Sequence, residues 1–130
     1  MRRTTPKEME SVLKLDGRAR YDHFVKRVVD AGEAYGLWQD GWALMRDDQG
    51  NDVLPLWPAI EYAEASRGET WVEYRPERID LADLLDDLLP TLARTRVLPG
   101  VFPTPDDTGV TPTVGDLEAS LRTEMEKYGE

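Results

Sequence analysis

Apolar residues recur at helical spacing in the first part of the chain. The stretch "PKEMESVLKL" predicts a short helix capped by Thr5, within a polar lead-in of residues 1–15. From Arg18 onwards, apolar side chains fall at every third or fourth position, which predicts an amphipathic helix capped by Asp16. We expect the remainder of the chain, residues 16–130, to form a single domain.

Three further helices are predicted downstream. One begins at Pro58 and ends before Gly68, because proline is tolerated in a first helical turn and glycine commonly ends a helix. A second carries a stripe of leucines over residues 81–92, and Pro90 within it should cause a kink or a break. The last helix is expected over residues 114–128.

Between the helices, the pattern changes to that of extended chain. Residues 35–39 and 42–46 predict a hairpin, and residues 53–57 a third strand, in which Pro55 implies an edge position or a bulge. Further strands are predicted at 70–74 and 97–102, with a short sixth at 110–113. These elements predict an α+β fold: a mainly antiparallel sheet of five or six strands with four helices packed around it.

Several short motifs resemble one family of small bacterial proteins. They are "GWALMRDDQGNDVLPLWP", the "EYAE" that follows it, the tryptophan at 71 and "VFPTP" at 101–105. Together they resemble the domain of unknown function numbered 2750, over residues 21–125. The sequence departs from that pattern at "GVTPTVGDL", where proline interrupts a strand that is usually more apolar. The resemblance implies the fold and a bacterial origin, and it brings no activity and no catalytic residues.

Composition and charge restrict the function classes. The chain has 16 basic and 26 acidic residues, a net charge of −10, which disfavours nucleic acid and favours another protein, a basic one above all, as partner. The absence of cysteine excludes disulfides and thiolate chemistry. Neither a membrane-spanning segment nor a secretory signal is present, so we expect a cytoplasmic protein that does not bind membranes.

No catalytic, cofactor-binding or metal-binding motif is present, so none of these sites is predicted. The one histidine, His23, lies opposite the apolar stripe of its helix and is expected to face solvent. Ser66 does not lie in a nucleophile elbow, and "DDQGND" at 47–52 fits a turn better than a calcium loop, because position twelve is Pro58. The protein is therefore expected not to be an enzyme.

Four tryptophans fall within 34 residues, and they define the candidate binding surface. They fit a hydrophobic core, and alternatively a partly exposed aromatic groove. The candidate surface lies where "PLWP" and "VFPTP" approach each other, and consists of Trp57, Pro58, Glu61, Trp71, Arg75 and Phe102.

Three hypotheses of function follow. The first is a non-enzymatic, acidic protein-interaction module, of the immunity or antitoxin type, acting as a monomer or homodimer. The alternative is a small-molecule-binding protein or an unrecognised enzyme, with a pocket of a few hundred Å³ near Trp57 and Phe102. A third hypothesis, mimicry of DNA, requires the carboxylates to concentrate on one face.

Overall fold

A computed structural model describes residues 4–105, 107 and 109–128, which contain five helices and five strands. The strands are β1 (Glu33–Trp38), β2 (Met45–Arg46), β3 (Asp52–Leu56), β4 (Arg75–Asp80) and β5 (Leu98–Val101). The helices are α1 (Pro6–Leu13), α2 (Gly17–Ala31), α3 (Ile60–Ala65), a composite helix and α6 (Val114–Tyr128). The composite helix joins α4 (Leu81–Asp83), a π-helical segment (Leu84–Leu88) and α5 (Leu89–Thr95) without interruption.

The helix boundaries follow local capping signals. The Thr5 hydroxyl accepts the Glu8 N–H at 3.1 Å, and the Asp16 carboxylate accepts the Ala19 N–H at 2.8 Å, as expected from the sequence. Gly32 ends α2 with a φ of 75°, a left-handed conformation that glycine adopts without steric cost. The helix predicted from Pro58 is shorter than expected, since α3 begins only at Ile60.

The strands form two small sheets. β1 pairs with β4, and β2 with β3, in antiparallel fashion, whereas β3 and β5 are parallel. One bridge connects the sheets, with Tyr35 and Trp57 exchanging two backbone hydrogen bonds of 2.8 Å. The predicted α+β single domain with mostly antiparallel pairing is confirmed, and its strands are divided between two sheets instead of one.

The predicted hairpin of 35–39 with 42–46 is wrong. β4 pairs along one edge of β1, Trp57 bridges Tyr35 on the other edge, and Met45 and Arg46 pair with β3, so an isolated bridge between Trp38 and Trp42 is left at the turn. The strand predicted at 70–74 is also wrong, because this segment is a series of turns. The Arg67 guanidinium donates to the carbonyls of Val72 and Tyr74, at 3.2 and 2.9 Å, and thereby satisfies backbone groups that a strand would pair.

Two proline-containing segments also differ from expectation. β3 is the central strand of its sheet, so the predicted edge position of Pro55 is wrong. Pro55 has no N–H, but no ladder hydrogen bond is lost. On that side of β3, Pro55 lies between the last residue that pairs with β2 and the bridge at Trp57. The short strand predicted at 110–113 is reduced to one bridge between Val110 and Val101.

The expected irregularity near Pro90 is a change of helical pitch. Leu84 to Leu88 are π-helical, and the Leu89 N–H donates to the Leu84 carbonyl five residues back. Proline has no N–H and crowds the preceding turn, so a wider turn accommodates it without ending the helix.

The core lies where the helices cover the bridge between the two sheets. Its largest fully buried side chains are Trp57, Tyr62, Phe24 and Phe102. Within the described ranges, no helix is both long enough and apolar enough to cross a membrane.

Candidate functional site

The six residues of the predicted binding surface occupy different environments. Trp57 and Phe102 have no exposed surface, and Pro58 is buried beside them. Glu61 and Trp71 are half-buried, and Arg75 is exposed. Trp57 and Phe102 therefore belong to the core, which for Trp57 agrees with the first interpretation of the tryptophans and not with the alternative of an exposed groove.

A pocket of about 250 Å³ nevertheless lies where "PLWP" and "VFPTP" meet. We call it the Trp57–Trp71 pocket, and it is lined by Met45, Trp57, Ser66, Trp71, Pro103, Thr104, Pro105 and Asp107. Two of the six predicted residues, Trp57 and Trp71, form part of its wall, and the other four do not line it.

Hydrogen bonds fix the loop that closes this pocket. The Trp57 indole N–H donates to the Pro103 carbonyl at 2.8 Å, and the Ser66 hydroxyl donates to the same oxygen at 3.4 Å. Arg20, only 3% exposed, donates through Nε to the Phe102 carbonyl at 3.2 Å. Its Nη2 also lies 2.5 Å from a carboxylate oxygen of Asp107. The pocket wall is therefore held at several points in the native state.

The backbone of the same loop is tightly constrained. Phe102 has a φ of 57°, in the left-handed region that bulky residues seldom occupy. Gly109, with a φ of 81°, passes so close to β5 that a Cβ there would lie 2.6 Å from the Val101 carbonyl oxygen. Any other residue at position 109 would force the loop away from β5.

His23 does not face solvent as predicted. It is half-buried, and its ring centroid lies 6.4 Å from that of Tyr62 and 6.2 Å from that of Phe102. The side of α2 that carries His23 was expected to be exposed, but the loop after β5 packs against it. This histidine does not line the Trp57–Trp71 pocket.

The acidic turn at 47–52 satisfies its own hydrogen bonds. Asp47 accepts the backbone N–H groups of Gln49 and Asn51, at 2.9 and 2.8 Å, and the Asn51 side chain as well. These bonds, that of the Asn51 side chain foremost, lower the pKa of the Asp47 carboxyl. Within the described residues, no group of histidine and acidic side chains could hold a metal ion.

A second and larger recess, which the sequence did not suggest, lies on the β1–β4 sheet. Gly36 of β1 is directly opposite Glu77 of β4, and the Trp42 indole lies across Gly36. A Cβ at position 36 would lie 2.8 Å from a ring carbon of Trp42, so only glycine lets the indole approach this closely. Trp38 packs edge-on against Trp42, with ring centroids 4.9 Å apart and planes at 82°.

The composite helix completes this recess. It has a volume of about 460 Å³, and its lining residues are Trp38, Trp42, Glu77, Arg78, Ile79, Asp83, Asp87 and Leu88. We call it the Trp38–Trp42 groove. Asp83 and Asp87, four residues apart, lie on the same side of the helix and face the two half-buried indoles across the groove.

Carboxylates dominate the electrostatics of the Trp38–Trp42 groove. Among the described residues, none forms an ion pair with Glu77, Asp83 or Asp87. Arg78, the one cationic side chain in the described lining, is shared by Glu33 at 2.9 Å and Asp80 at 2.8 Å. The groove thus combines two aromatic faces with negative charge that the described chain leaves uncompensated.

Part of this groove had a signal in the sequence. Trp38 and Trp42 flank the Asp40-Gly41 turn, and that turn was recognised. The contribution of Glu77 was missed because β4 has the polar sequence "RPERID", with only Ile79 of its six residues buried. Without β4, nothing placed the acidic side of the composite helix beside the two tryptophans.

The fold and the two recesses described above define a small α+β protein without a metal cluster in the described residues. The family model of DUF2750, described as a protein of unknown function, matches residues 21–121. The chain therefore belongs to the DUF2750 family, as its motifs indicated. No curated protein and no solved structure matches it.

Proposed function

We propose that this protein is a non-enzymatic interaction module that binds a positively charged segment of another protein in the Trp38–Trp42 groove. The observation that carries this proposal is the set of carboxylates without ion-pair partners in the described chain, placed around two half-buried indoles. Lysine and arginine side chains complement both features, because indole faces attract cations and carboxylates pair with them.

The size and the overall charge support the same kind of partner. At about 460 Å³, the groove falls within the range of known binding pockets. The net charge of −10 accelerates encounter with a basic surface and slows encounter with an acidic one. Immunity and antitoxin proteins that cover a basic surface are one setting in which such a module would act.

The test is calorimetric titration with a short peptide of alternating lysine and glycine. We expect binding that weakens as salt is raised, because the charges at the groove mouth are exposed and therefore screened. The double variant Asp83→Asn/Asp87→Asn should lose about tenfold in affinity, and Trp42→Ala a comparable amount. A peptide with glutamate in place of lysine should not bind.

The matched control is Asp48→Asn/Glu69→Gln, which removes the same charge from exposed positions outside the groove. It should leave the affinity within about twofold of the unmodified protein. Equal losses in the two double variants would mean that the peptide senses only net charge, and would contradict the proposal. So would a Trp42→Ala variant that binds the peptide as well as the unmodified protein does.

A further inference from the structure

We propose that the Trp57–Trp71 pocket binds a small planar amine, meaning a molecule of one or two aromatic rings that carries a positively charged nitrogen. This site is separate from the Trp38–Trp42 groove and shares no lining residue with it. The inference therefore goes beyond the proposed protein partner and does not depend on it.

The walls of the pocket suit a flat ring. Trp71 and Met45, both half-buried, supply the accessible apolar surface, and Trp57 and Pro103 are buried behind them. The indole N–H of Trp57 is bonded to the Pro103 carbonyl, so the buried side of the pocket has no free indole donor, and the ring that a ligand can reach is that of Trp71. Aromatic side chains favour offset or edge-on contact with another ring.

The volume limits the ligand to a small molecule. About 250 Å³ lies just below the range of drug-sized sites, which leaves room for one ring system with a short side chain. The pocket wall is also pre-organised, since Trp57, Ser66 and Arg20 hold Phe102, Pro103 and Asp107 in place. A preformed site spends little binding free energy on ordering itself.

The polar side of the pocket favours a donor over an acceptor. Its described polar side chains are the hydroxyls of Ser66 and Thr104 and the carboxylate of Asp107, and its described lining contains no lysine or arginine. Asp107 is fixed by Arg20 at 2.5 Å and by the Gly109 N–H at 3.3 Å, while 48% of its side chain remains exposed. An ammonium group can donate a further hydrogen bond to the exposed side of this held carboxylate, whereas a ligand carboxylate meets no cationic side chain in the described lining.

The experiment compares two probes of nearly identical shape and opposite charge. Tryptamine has an indole ring with an ethylammonium side chain, and indole-3-propionate replaces the ammonium group by a carboxylate. Calorimetric titration should give a Kd of about 1 mM or tighter for tryptamine, and at least about tenfold weaker binding for indole-3-propionate. Equal affinity for the two probes, or no binding of tryptamine at several times that concentration, would overturn the proposal.

Variants locate the site. Trp71→Ala removes one wall and Ser66→Met fills the pocket from the end of α3, so each should weaken tryptamine binding about tenfold or more. Asp48→Asn, at an exposed position outside both recesses, should leave it unchanged. If Trp71→Ala disturbs the turns at 68–74, Ser66→Met still tests the site, because it leaves both indoles in place. Loss of binding in Asp48→Asn, or retention in Ser66→Met, would contradict the assignment.

Discussion

Replacing Arg20 by methionine should destabilise the protein strongly, whereas the same change at Arg18, two residues away on α2, should not. The Arg20 guanidinium is 3% exposed and donates to the carbonyls of Phe102 and Leu15 and to the Asp107 carboxylate. The Arg18 side chain is 81% exposed, and its pair with Asp22, one helical turn on, spans 3.8 Å.

The size of the effect follows from which groups water can reach after the change. Phe102 is fully buried, so its carbonyl stays unsatisfied, at a cost of about 1–3 kcal/mol. Asp107 and Leu15 are exposed enough to be hydrated and add less. We therefore expect Arg20→Met to lower the free energy of unfolding by about 3 kcal/mol, at the lower end for a broken buried ion pair. Arg18→Met should lower it by less than about 1 kcal/mol.

Urea denaturation followed by tryptophan fluorescence measures both variants. With a slope of about 1.5 kcal/mol per molar urea, the Arg20→Met midpoint should fall by roughly 2 M, and the Arg18→Met midpoint by less than about 0.7 M. A midpoint for Arg20→Met no lower than that of Arg18→Met would refute the assignment of Arg20 as the residue that anchors the loop after β5.

Two further predictions concern the β1–β4 sheet. Gly36→Ala should force the Trp42 indole outward, which lowers the free energy of unfolding by about 1–3 kcal/mol and changes tryptophan emission. Gly41→Ala, with open space around its Cβ, should have none of these effects. Equal losses of stability in the two variants would contradict this prediction. Burial, together with the hydrogen bond that its hydroxyl donates to Glu33, raises the pKa of Tyr35 to about 12. Because the unfolded value is about 10, stability should be complete below pH of about 10 and fall as pH rises towards about 12. A difference titration of tyrosinate absorbance between the unmodified protein and Tyr35→Phe checks this, and Glu33→Gln should lower the pKa of Tyr35. A transition near pH of about 10 in the difference curve would contradict it.

The sequence predicted the N-terminal caps of α1 and α2 because their causes are local. Thr5 and Asp16 bond to N–H groups three residues ahead, and Gly32 supplies the left-handed residue that ends α2. Each signal involves residues within one turn of one another. No knowledge of the rest of the chain is needed to interpret them.

Strand pairing depends on distant residues and was the main source of error. β1 pairs with β4 across two strands and one helix, and β4 was missed because its polar residues have little strand propensity. Conversely, "TWVEY" has strong strand propensity and is a turn region, because the side chain of Arg67 bonds its carbonyls. Tertiary contacts decided both segments.

The two recesses differ in how far they could be predicted from the sequence. A pocket was predicted near Trp57 and Phe102, and the Trp57–Trp71 pocket lies at the ends of the two neighbouring strands that precede these residues. Phe102, Glu61 and Arg75 lie outside it, whereas Asp107, for which the sequence had no signal, lines it. The Trp38–Trp42 groove needed β4 and the composite helix, and neither pairing nor packing of those elements can be derived from local pattern.

Nuclear magnetic resonance of the four indole N–H groups during titration with the lysine–glycine peptide tests the central claim most directly. The tryptophans divide two and two between the recesses, so the spectrum reports which one is occupied. We predict that the resonances of Trp38 and Trp42 shift with added peptide, and that raising the salt reverses the shift. Shifts confined to Trp57 and Trp71, or no shift at any of the four, would contradict the assignment of the groove as the binding surface.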